Sequence, residues 1–485
     1  MSRPPSLTER VRVGGVWGLA GTLTQAALAL VASVVVARYL VPEDFAVAAI
    51  GAAVMNLTGR LANVGLADAL VRQREDVEAL AATVFLAVAA LGLVLAGALA
   101  LAAPLLARFY HEPRLTGVLL VLAVALYCGL LGSVPRALLQ RELRLREISV
   151  VDTVQRALAA LFGVALAVAG TRHWALVLPT AAAVALCTPV LFRLARFRPS
   201  GEFALRRLRE CLSFTTGVFL ARGLSYLGDD LDSFVLGRSL PRPEFGTYAF
   251  AFGRAYTPYQ ILGPGLQAPL LAAFSHVRDD AARLKGALVR VAAVHFFVLA
   301  PLAVGLALLA DPLIPVLFGE HWRSAVPVFR VFALWLLLPA AGGFSGALLL
   351  AQGRAWLQVR LNLIRLLAVG LALAWCVATR QPVLAVALAV LVANLIAVLP
   401  AWLVVLRGLG VRLPELVAMY GRTLACLVAT AVVLGAAVAA GARPSLLGER
   451  SYLVLAAAIV GGAYGLASLA LNRTTLRELF PARAR

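Results

Sequence analysis

Long apolar runs follow one another along this chain of 485 residues, and they constrain its fold more than any other feature. Each run has about 20 or more mainly apolar residues, the length that a helix needs to cross a bilayer. Helices are expected because lipid offers a backbone no hydrogen-bond partners. The sequence therefore predicts an all-α, polytopic membrane protein with about 14 transmembrane helices. The predicted spans are 13–37, 45–70, 80–106, 115–139, 150–170, 173–195, 211–237, 245–273, 287–310, 325–350, 357–378, 382–406, 417–440 and 451–472.

Composition excludes a soluble enzyme. Hydrophobic residues make up 62% of the chain and charged residues 14%, against about 45–50% and about 25% in soluble proteins. No nucleotide-binding loop, zinc-protease motif or nucleophile elbow stands in a usable context. The five cysteines are scattered through apolar runs, which argues against disulfides or a zinc site. We therefore expect no enzymatic activity, no metal and no bound cofactor.

The net charge of +20 is interpreted as a signal of membrane orientation. If the N-terminus is inside, the inner segments carry more than twice as many Lys and Arg as the outer loops. That bias follows the positive-inside rule and predicts that both termini are cytoplasmic. The densest inner loop, 193–209, follows the sixth span and is expected to attract anionic membrane lipid. No nucleic-acid partner is expected.

An internal repeat divides the spans. Residues 37–46 and 237–246 share a small residue, Arg and Leu, then Pro-Glu and Phe-small, at the junction of two spans. Gly65-Leu66 and Gly265-Leu266 recur at the same spacing of 200, and 103–106 resembles 311–314. Six spans separate the copies, so both halves have the same orientation, as in a parallel transporter repeat. The predicted domains are 1–200 (spans 1–6), 201–410 (spans 7–12) and 411–485 (two appended helices and a cytoplasmic tail).

Seven arginines lie five or more residues inside a predicted span, where an unpaired charge costs at least ~2.5–3.5 kcal/mol. Arg156, Arg330 and Arg422 lie near span ends and are expected to snorkel. The deeper ones are Arg60, Arg222, Arg254 and Arg365. Asn56 and Asn63 share a helical face with Arg60. These six residues are the predicted substrate-binding set of a polar cavity between the halves.

Excess guanidinium in a cavity favours an anion, above all phosphate. The outer part of span 7 also contains Asp229, Asp230 and Asp232. They are candidates for binding a coupling cation, carrying a proton, pairing with Arg222 or contacting sugar hydroxyls. The sequence leaves these alternatives open, so a proton or sodium gradient is one expected source of energy.

Several motifs carry a resemblance to a known family. They are 37–45, Gly65-Leu66 before 70–73, 135–143, 174–177, 232–238, 245–248 and 317–322. Over about residues 10–410 the chain is similar to the bacterial polysaccharide (O-antigen and exopolysaccharide) flippases of the multidrug/oligosaccharidyl-lipid/polysaccharide exporter superfamily. It departs from that family's pattern at Val41, Arg242 and Pro243, where small residues are common.

The resemblance implies a two-lobed fold of fourteen helices that works by alternating access. It also implies a polyprenyl-pyrophosphate-linked oligosaccharide as substrate, moved across the bacterial inner membrane for polysaccharide or lipopolysaccharide biosynthesis. Expected partners are this lipid-linked substrate, membrane lipid and the polysaccharide polymerase or export machinery, and the chain is expected to be a monomer. The alternatives are a peptidoglycan-precursor flippase and a cation-coupled multidrug exporter. A glycan polymerase or ligase is disfavoured because the outer loops are short.

Overall fold

A computed structural model describes residues 7–62, 66–67, 70, 77–199, 228–276, 280–441 and 444–472. These residues are helical nearly throughout, and no β-strand occurs among them. The all-α prediction is therefore confirmed.

The chain divides into two compact units, Met1–Gly246 and Thr247–Arg485. The predicted three-part division at residues 200 and 410 stays a prediction. The first unit contains α1 (Leu7–Tyr39), α2 (Pro42–Ala62), α3 (Val77–Phe109), α4 (Arg114–Arg141), α5 (Leu145–Val168), α6 (Trp174–Ala195), α7 (Leu231–Ser239) and the start of α8 (Arg242–His276). The second contains the rest of α8, α9 (Ala281–Leu308), α10 (Ala310–Phe318), a 3₁₀-helix (Glu320–Ala325), α11 (Val326–Trp335), α12 (Leu337–Gly342), α13 (Ser345–Ala351), α14 (Ala355–Ala378), α15 (Val383–Gly408), α16 (Leu413–Leu416), a π-turn (Val417–Gly421), α17 (Arg422–Ala439), α18 (Pro444–Leu447) and α19 (Glu449–Leu471).

Twelve helical segments in the described ranges are long and apolar enough to cross a membrane. They correspond to predicted spans 1–6 and 9–14. Helix α8 coincides with the eighth span, and α7 covers the end of the seventh. The earlier part of the seventh span lies outside the described residues. The chain is thus a multi-pass membrane protein with close to the predicted number of helices.

In the first unit, successive helices pack up and down. Helix α1 lies on α5, α3 on α4, and α6 on both α4 and α5. The Phe85 ring near the start of α3 contacts those of Phe192 and Phe197 at the end of α6, with centroids 5.7 and 5.5 Å away. Alternate helix ends therefore meet on one side, as sequential crossing of a bilayer requires.

Helix α14 of the second unit has an exposed tryptophan near each end. Trp356 is 78% exposed and Trp375 is 55% exposed. They are 19 positions apart in the sequence, which corresponds to about 28 Å of helix, close to the ~30 Å of the hydrocarbon core. Tryptophan favours the membrane interface, so α14 is long enough to place one tryptophan at each interface.

The tenth predicted span, 325–350, is broken into pieces. Helix α11 ends at Trp335, α12 ends at Gly342, and α13 begins at Ser345. Pro339 lacks the N–H that would donate to the carbonyl of Trp335, so the regular ladder stops there. The mean hydropathy of the predicted span does not reveal such a break.

The repeated turn is present at both predicted positions. Helix α1 ends at Tyr39 before Pro42 begins α2, and α7 ends at Ser239 before Arg242 begins α8. A second pair of turns agrees: Leu143 and Gly353 have φ of 56° and 72°, each just before an arginine that caps a helix of 24 residues. These two turns are 210 residues apart, so they add one more pair of equivalent positions to the internal repeat found in the sequence.

Gly246 allows the first turn of α8 to approach the start of α2 closely. A Cβ at this position would overlap the carbonyl oxygen of Pro42. That neighbour is backbone, so it has no rotamer by which to move aside. The small residue of the repeated Phe-small motif is therefore explained by packing.

We expect Gly246→Ala to destabilise the protein by about 1–3 kcal/mol, the range for overpacking a tight contact. Thermal unfolding in detergent, followed by tryptophan fluorescence, measures the loss as a lower Tm. Gly253→Ala in the same helix is the matched control, because a Cβ there would meet nothing within 4 Å. Equal Tm values for the two variants would contradict the close approach.

Candidate functional site

Arg60 on α2 lies against two aspartates that precede α7. Its Nη1 is 3.2 Å from Oδ2 of Asp230 and 4.0 Å from Oδ2 of Asp229. Asn56, one turn before Arg60, donates from Nδ2 to Oδ1 of Asp230 at 3.2 Å. We call these four residues the Arg60 site. The structure thus brings together two predicted substrate-binding residues and two of the predicted acids.

Helix packing explains the position of the Arg60 site. Asn56 and Arg60 are spaced i and i+4, so they share one face of α2, and α2 packs on α7. The side chains are partly enclosed, with 30% of Arg60 and 16% of Asp230 exposed. The sequence offered Arg222 with Asp229 as an ion pair. Arg222 and Asn63 lie outside the described residues, and the pairing that the structure describes uses Arg60.

Asp232 is buried in the first turn of α7, with 8% of the residue exposed. Its Oδ1 accepts a hydrogen bond from the backbone N–H of Ser233 at 2.7 Å. The Asp232 carboxylate thus binds a backbone group at the start of its own helix, where the macrodipole stabilises a negative charge.

Arg254 in the middle of α8 has a different environment. Its Nε is enclosed and meets no hydrogen-bond acceptor in the described part of the chain. Its guanidinium carbon lies 6.0 Å from the centre of the Phe250 ring. No described carboxylate lies within 4.0 Å of it. Because an unpaired charge in low dielectric is costly, this guanidinium is suited to an anionic ligand.

Arg365 in α14 is held by a neutral amide. Its Nε donates to Oδ1 of Asn394 on α15 at 2.9 Å. The Asn394 Nδ2 donates in turn to the Val390 carbonyl at 2.8 Å, and only 4% of Asn394 is exposed. The two bonds fix which amide atom faces the arginine. This amide orients the Arg365 guanidinium but adds no negative charge beside it.

The three arginines expected to snorkel do not share one environment. Arg156 and Arg422 are exposed. Arg330 donates from Nη2 to Oδ2 of Asp311 at 2.5 Å and from Nε to the Ala307 carbonyl at 3.2 Å. Arg330 is therefore exposed, as Arg156 and Arg422 are, but it also forms an ion pair with Asp311.

Two of the family motifs form packing contacts. Trp322 of the 317–322 motif is fully buried and stacks on Phe250 with ring centres 3.8 Å apart. Arg136 of the 135–143 motif makes two parallel hydrogen bonds to Asp152, at 2.6 and 2.7 Å. Such bidentate pairs fix geometry as well as charge, so these residues hold neighbouring helices together.

Arg242, one of the departures from the family pattern, anchors the turn between α7 and α8. Its guanidinium donates to the carbonyls of Gly237 and Tyr110, and its Nε lies 3.5 Å from Oε2 of Glu112. Arg114 also binds Glu112, with Nε 2.8 Å from Oε1. We call Glu112, Arg114 and Arg242 the turn cluster. Sequence reasoning missed it, although the unusual Pro-Arg-Pro at 241–243 was its signal.

The acid at the centre of the turn cluster is buried, with 5% of Glu112 exposed. Burial raises the pKa of its carboxyl, but the hydrogen bond and charge of Arg114, with the charge of Arg242, outweigh burial and leave the pKa below its usual value. The cluster therefore holds a carboxylate that depends on two arginines from different turns.

We expect Arg242→Met to lower the stability by about 1–3 kcal/mol, because methionine retains the apolar stem and leaves Glu112 with one arginine. The Tm in detergent measures this loss. Arg238→Met, which removes an exposed charge from the end of α7, is the control and should change Tm much less. A Tm for Arg242→Met equal to that of the wild type would contradict an anchoring role.

Comparison with known proteins supplies the family. A sequence profile of a polysaccharide biosynthesis protein family matches residues 35–327. The lipopolysaccharide biosynthesis protein WzxC of Escherichia coli (strain K12) is 25% identical over 366 residues, 74% of each chain. The succinoglycan biosynthesis transport protein ExoT of Rhizobium meliloti (strain 1021) is 28% identical over 300 residues, 62% of this chain and 61% of the relative. The teichuronic acid biosynthesis protein TuaB of Bacillus subtilis (strain 168) is 22% identical over 357 residues, 72% of this chain and 73% of the relative.

Solved structures show the same fold. The lipid II flippase MurJ in an inward closed conformation matches with a TM-score of 0.75 at 14% identity, over 95% of this chain and all of that one. An inward-facing multidrug resistance MATE transporter of the MOP superfamily matches with a TM-score of 0.65 at 16% identity, over 81% of this chain and 98% of that one. Since the profile covers more than half of the chain, the protein belongs to the polysaccharide biosynthesis protein family, on a fold that it shares with MurJ and the MATE transporters.

Proposed function

We propose that this protein is a flippase that moves polyprenyl-pyrophosphate-linked oligosaccharide units across the bacterial inner membrane by alternating access. Its family and three relatives support this, because the relatives' names refer to the biosynthesis of lipopolysaccharide, succinoglycan and teichuronic acid. The likeness to MurJ and MATE transporters supports the fold on which such movement depends.

The observation that carries the proposal is the Arg254 guanidinium. It lies within a long helix, its Nε is enclosed, and the described residues offer it neither acceptor nor carboxylate. Phosphate oxygens match the planar fork of a guanidinium and neutralise its charge. A lipid-linked diphosphate would supply the negative charge that this guanidinium lacks. It would do so within the membrane, where bulk water is not present to solvate the charge.

The other parts of the substrate follow from the same chemistry. Arg365, oriented by Asn394, is proposed as a second phosphate or glycan contact. Hydroxyl groups of the glycan would meet polar side chains such as Asn56 and Arg60, while the prenyl tail stays in lipid. The protein thereby lowers the cost of moving a charged head group through hydrocarbon.

Orientation and energetics complete the proposal. Both termini lie in the cytoplasm, as the distribution of basic residues predicts, and the protein transports without catalysing a covalent step. A proton or sodium gradient supplies the energy, with no bound cofactor. The flippase works as a monomer that delivers its substrate to polysaccharide polymerase or export machinery.

Deletion of the gene followed by lipid analysis tests the function. We expect undecaprenyl-linked glycan to accumulate on the cytoplasmic face and surface polysaccharide to be lost. Restored export from a plasmid copy of the wild type is the control. Unchanged glycan with altered drug susceptibility would instead support a multidrug exporter. Accumulation of peptidoglycan precursor would support the MurJ-like alternative.

We expect Arg254→Ala to reduce glycan export in the deletion strain by at least about tenfold, the effect of ~1.4 kcal/mol on substrate binding. Arg254→Lys should restore only part of the export, because lysine cannot make two parallel bonds to phosphate. Surface polysaccharide per unit of membrane-inserted protein is the measurement.

Arg422→Ala is the matched control for this loss, because Arg422 is an exposed arginine in the same unit. We expect its export to equal that of the wild type. Normal export by a folded Arg254→Ala variant would contradict the assignment of Arg254 to the substrate.

A further inference from the structure

We propose that His173 and Asp44 form a proton-dependent link between α6 and α2: a proton that His173 takes up from the outer side of the membrane draws the two side chains into a hydrogen-bonded ion pair. The inference rests on the proposed function only for the orientation, which places this end of the first unit on the outer side. The evidence is a buried pair of side chains beside the turn cluster, which no step of the proposed transport uses.

His173 and Asp44 lie together at the end of the first unit. Asp44 is in the first turn of α2, and His173 immediately precedes α6. Only 2% of Asp44 and 7% of His173 is exposed. Nδ1 of His173 lies 3.9 Å from Oδ1 of Asp44, which is too far for a hydrogen bond. The same Nδ1 is enclosed and has no hydrogen-bond partner among the described residues.

Arg114 also approaches Asp44, but its hydrogen bonds go to Glu112. Its Nη1 lies 3.9 Å from the same Oδ1 of Asp44, whereas its Nε and Nη2 donate to the two oxygens of Glu112 at 2.8 and 3.0 Å. Both side chains that form ion pairs with Asp44 in the described part of the chain therefore stay beyond hydrogen-bond distance. The position of Asp44 at the N-terminus of α2 stabilises its negative charge. A donor that moves closer thus meets a buried carboxylate ready to accept.

Protonation makes His173 that donor. A neutral imidazole has one N–H, whereas an imidazolium has one on each nitrogen, so Nδ1 becomes a donor whichever nitrogen carried the first proton. A charge-assisted bond from nitrogen to a carboxylate is about 2.7–2.9 Å long, so the two side chains must approach by roughly 1 Å to form it. The bond joins the start of α6 to the first turn of α2. Because α2 also carries Arg60, acidity on the outer side acts on a helix proposed to contact the glycan.

The charged groups around His173 keep it neutral until the pH falls. They come from α2, from the turn before α4 and the start of α4, and from the turn that contains His173 itself. Burial and the charge of Arg114 lower the pKa of the imidazole, and Arg172 lowers it further. The carboxylates of Asp44 and Glu112 raise the pKa but do not outweigh burial. His173, which precedes the spanning part of α6, is therefore neutral at neutral pH and gains its proton only in acid.

The test is a titration of the purified full-length protein in detergent, followed by nuclear magnetic resonance of isotope-labelled histidine rings. The His173 signal is the one that disappears in His173→Gln. We expect its midpoint to lie below the usual histidine value of about 6.5. In Asp44→Asn the midpoint should move to still lower pH, because the imidazolium loses its acceptor. Glu43→Gln, which removes the neighbouring carboxylate of the same helical turn, is the matched control and should leave the midpoint unchanged. A midpoint that does not respond to Asp44→Asn would overturn the link.

Glycan export at an external pH of about 5.5 and about 7.5 tests the consequence for transport. We expect the ratio of the two exports to be closer to one in His173→Gln than in the wild type. His111→Gln, which removes an exposed histidine from the turn before α4, should keep the wild-type ratio. A wild-type ratio in His173→Gln would overturn the action of this link on transport. Because the titration uses no lipid substrate, the link can fail while the proposed function stands, and absence of glycan export by the wild type would overturn the proposed function without changing the titration.

Discussion

A guanidinium is costly to place in hydrocarbon, and this cost governs the surroundings of the arginines within the spans. Water is absent there, so each arginine within a span needs an anion, an acceptor or a route to the interface. The described arginines meet this requirement in several ways. Arg60 lies against carboxylates, Arg365 against an amide, and Arg422 is exposed. Arg254 meets no carboxylate and no acceptor among the described residues, which is why we propose a transported anion as its partner.

The same constraint distinguishes packing residues from residues that serve transport. Arg136 binds Asp152 through two parallel bonds, so its charge is satisfied within the fold. Arg242 does the same at the turn cluster, where it joins Glu112 to two backbone carbonyls. The sequence pattern marks both residues: Arg136 lies in a family motif, and Arg242 is a departure from the family pattern. Their partners show that they hold helix ends together, whereas the arginines within α2, α8 and α14 are the ones that we propose for the substrate.

Hydropathy predicted the fold well because length and apolar composition are sufficient to recognise a spanning helix. It did not predict the break at Pro339, which removes one hydrogen bond without changing the average. Periodicity correctly placed Asn56 and Arg60 on one face of α2. It could not identify Asp230 as their partner, because the neighbour of a helix face is decided by how α2 and α7 pack. The turn cluster was missed for the same reason: Glu112 and Arg242 are 130 residues apart in the sequence.

Transport in a defined membrane is the direct measure of whether this protein moves a lipid-linked oligosaccharide. The purified protein would be reconstituted into liposomes whose outer leaflet carries a fluorescent undecaprenyl-diphosphate-linked oligosaccharide. A membrane-impermeant enzyme that cleaves the exposed diphosphate would report how much lipid has crossed. We expect rapid protection of the labelled lipid in liposomes that contain the protein and slow protection in protein-free liposomes. Equal rates in the two, with folded protein present and a proton or sodium gradient imposed, would contradict transport of the lipid-linked oligosaccharide by this protein.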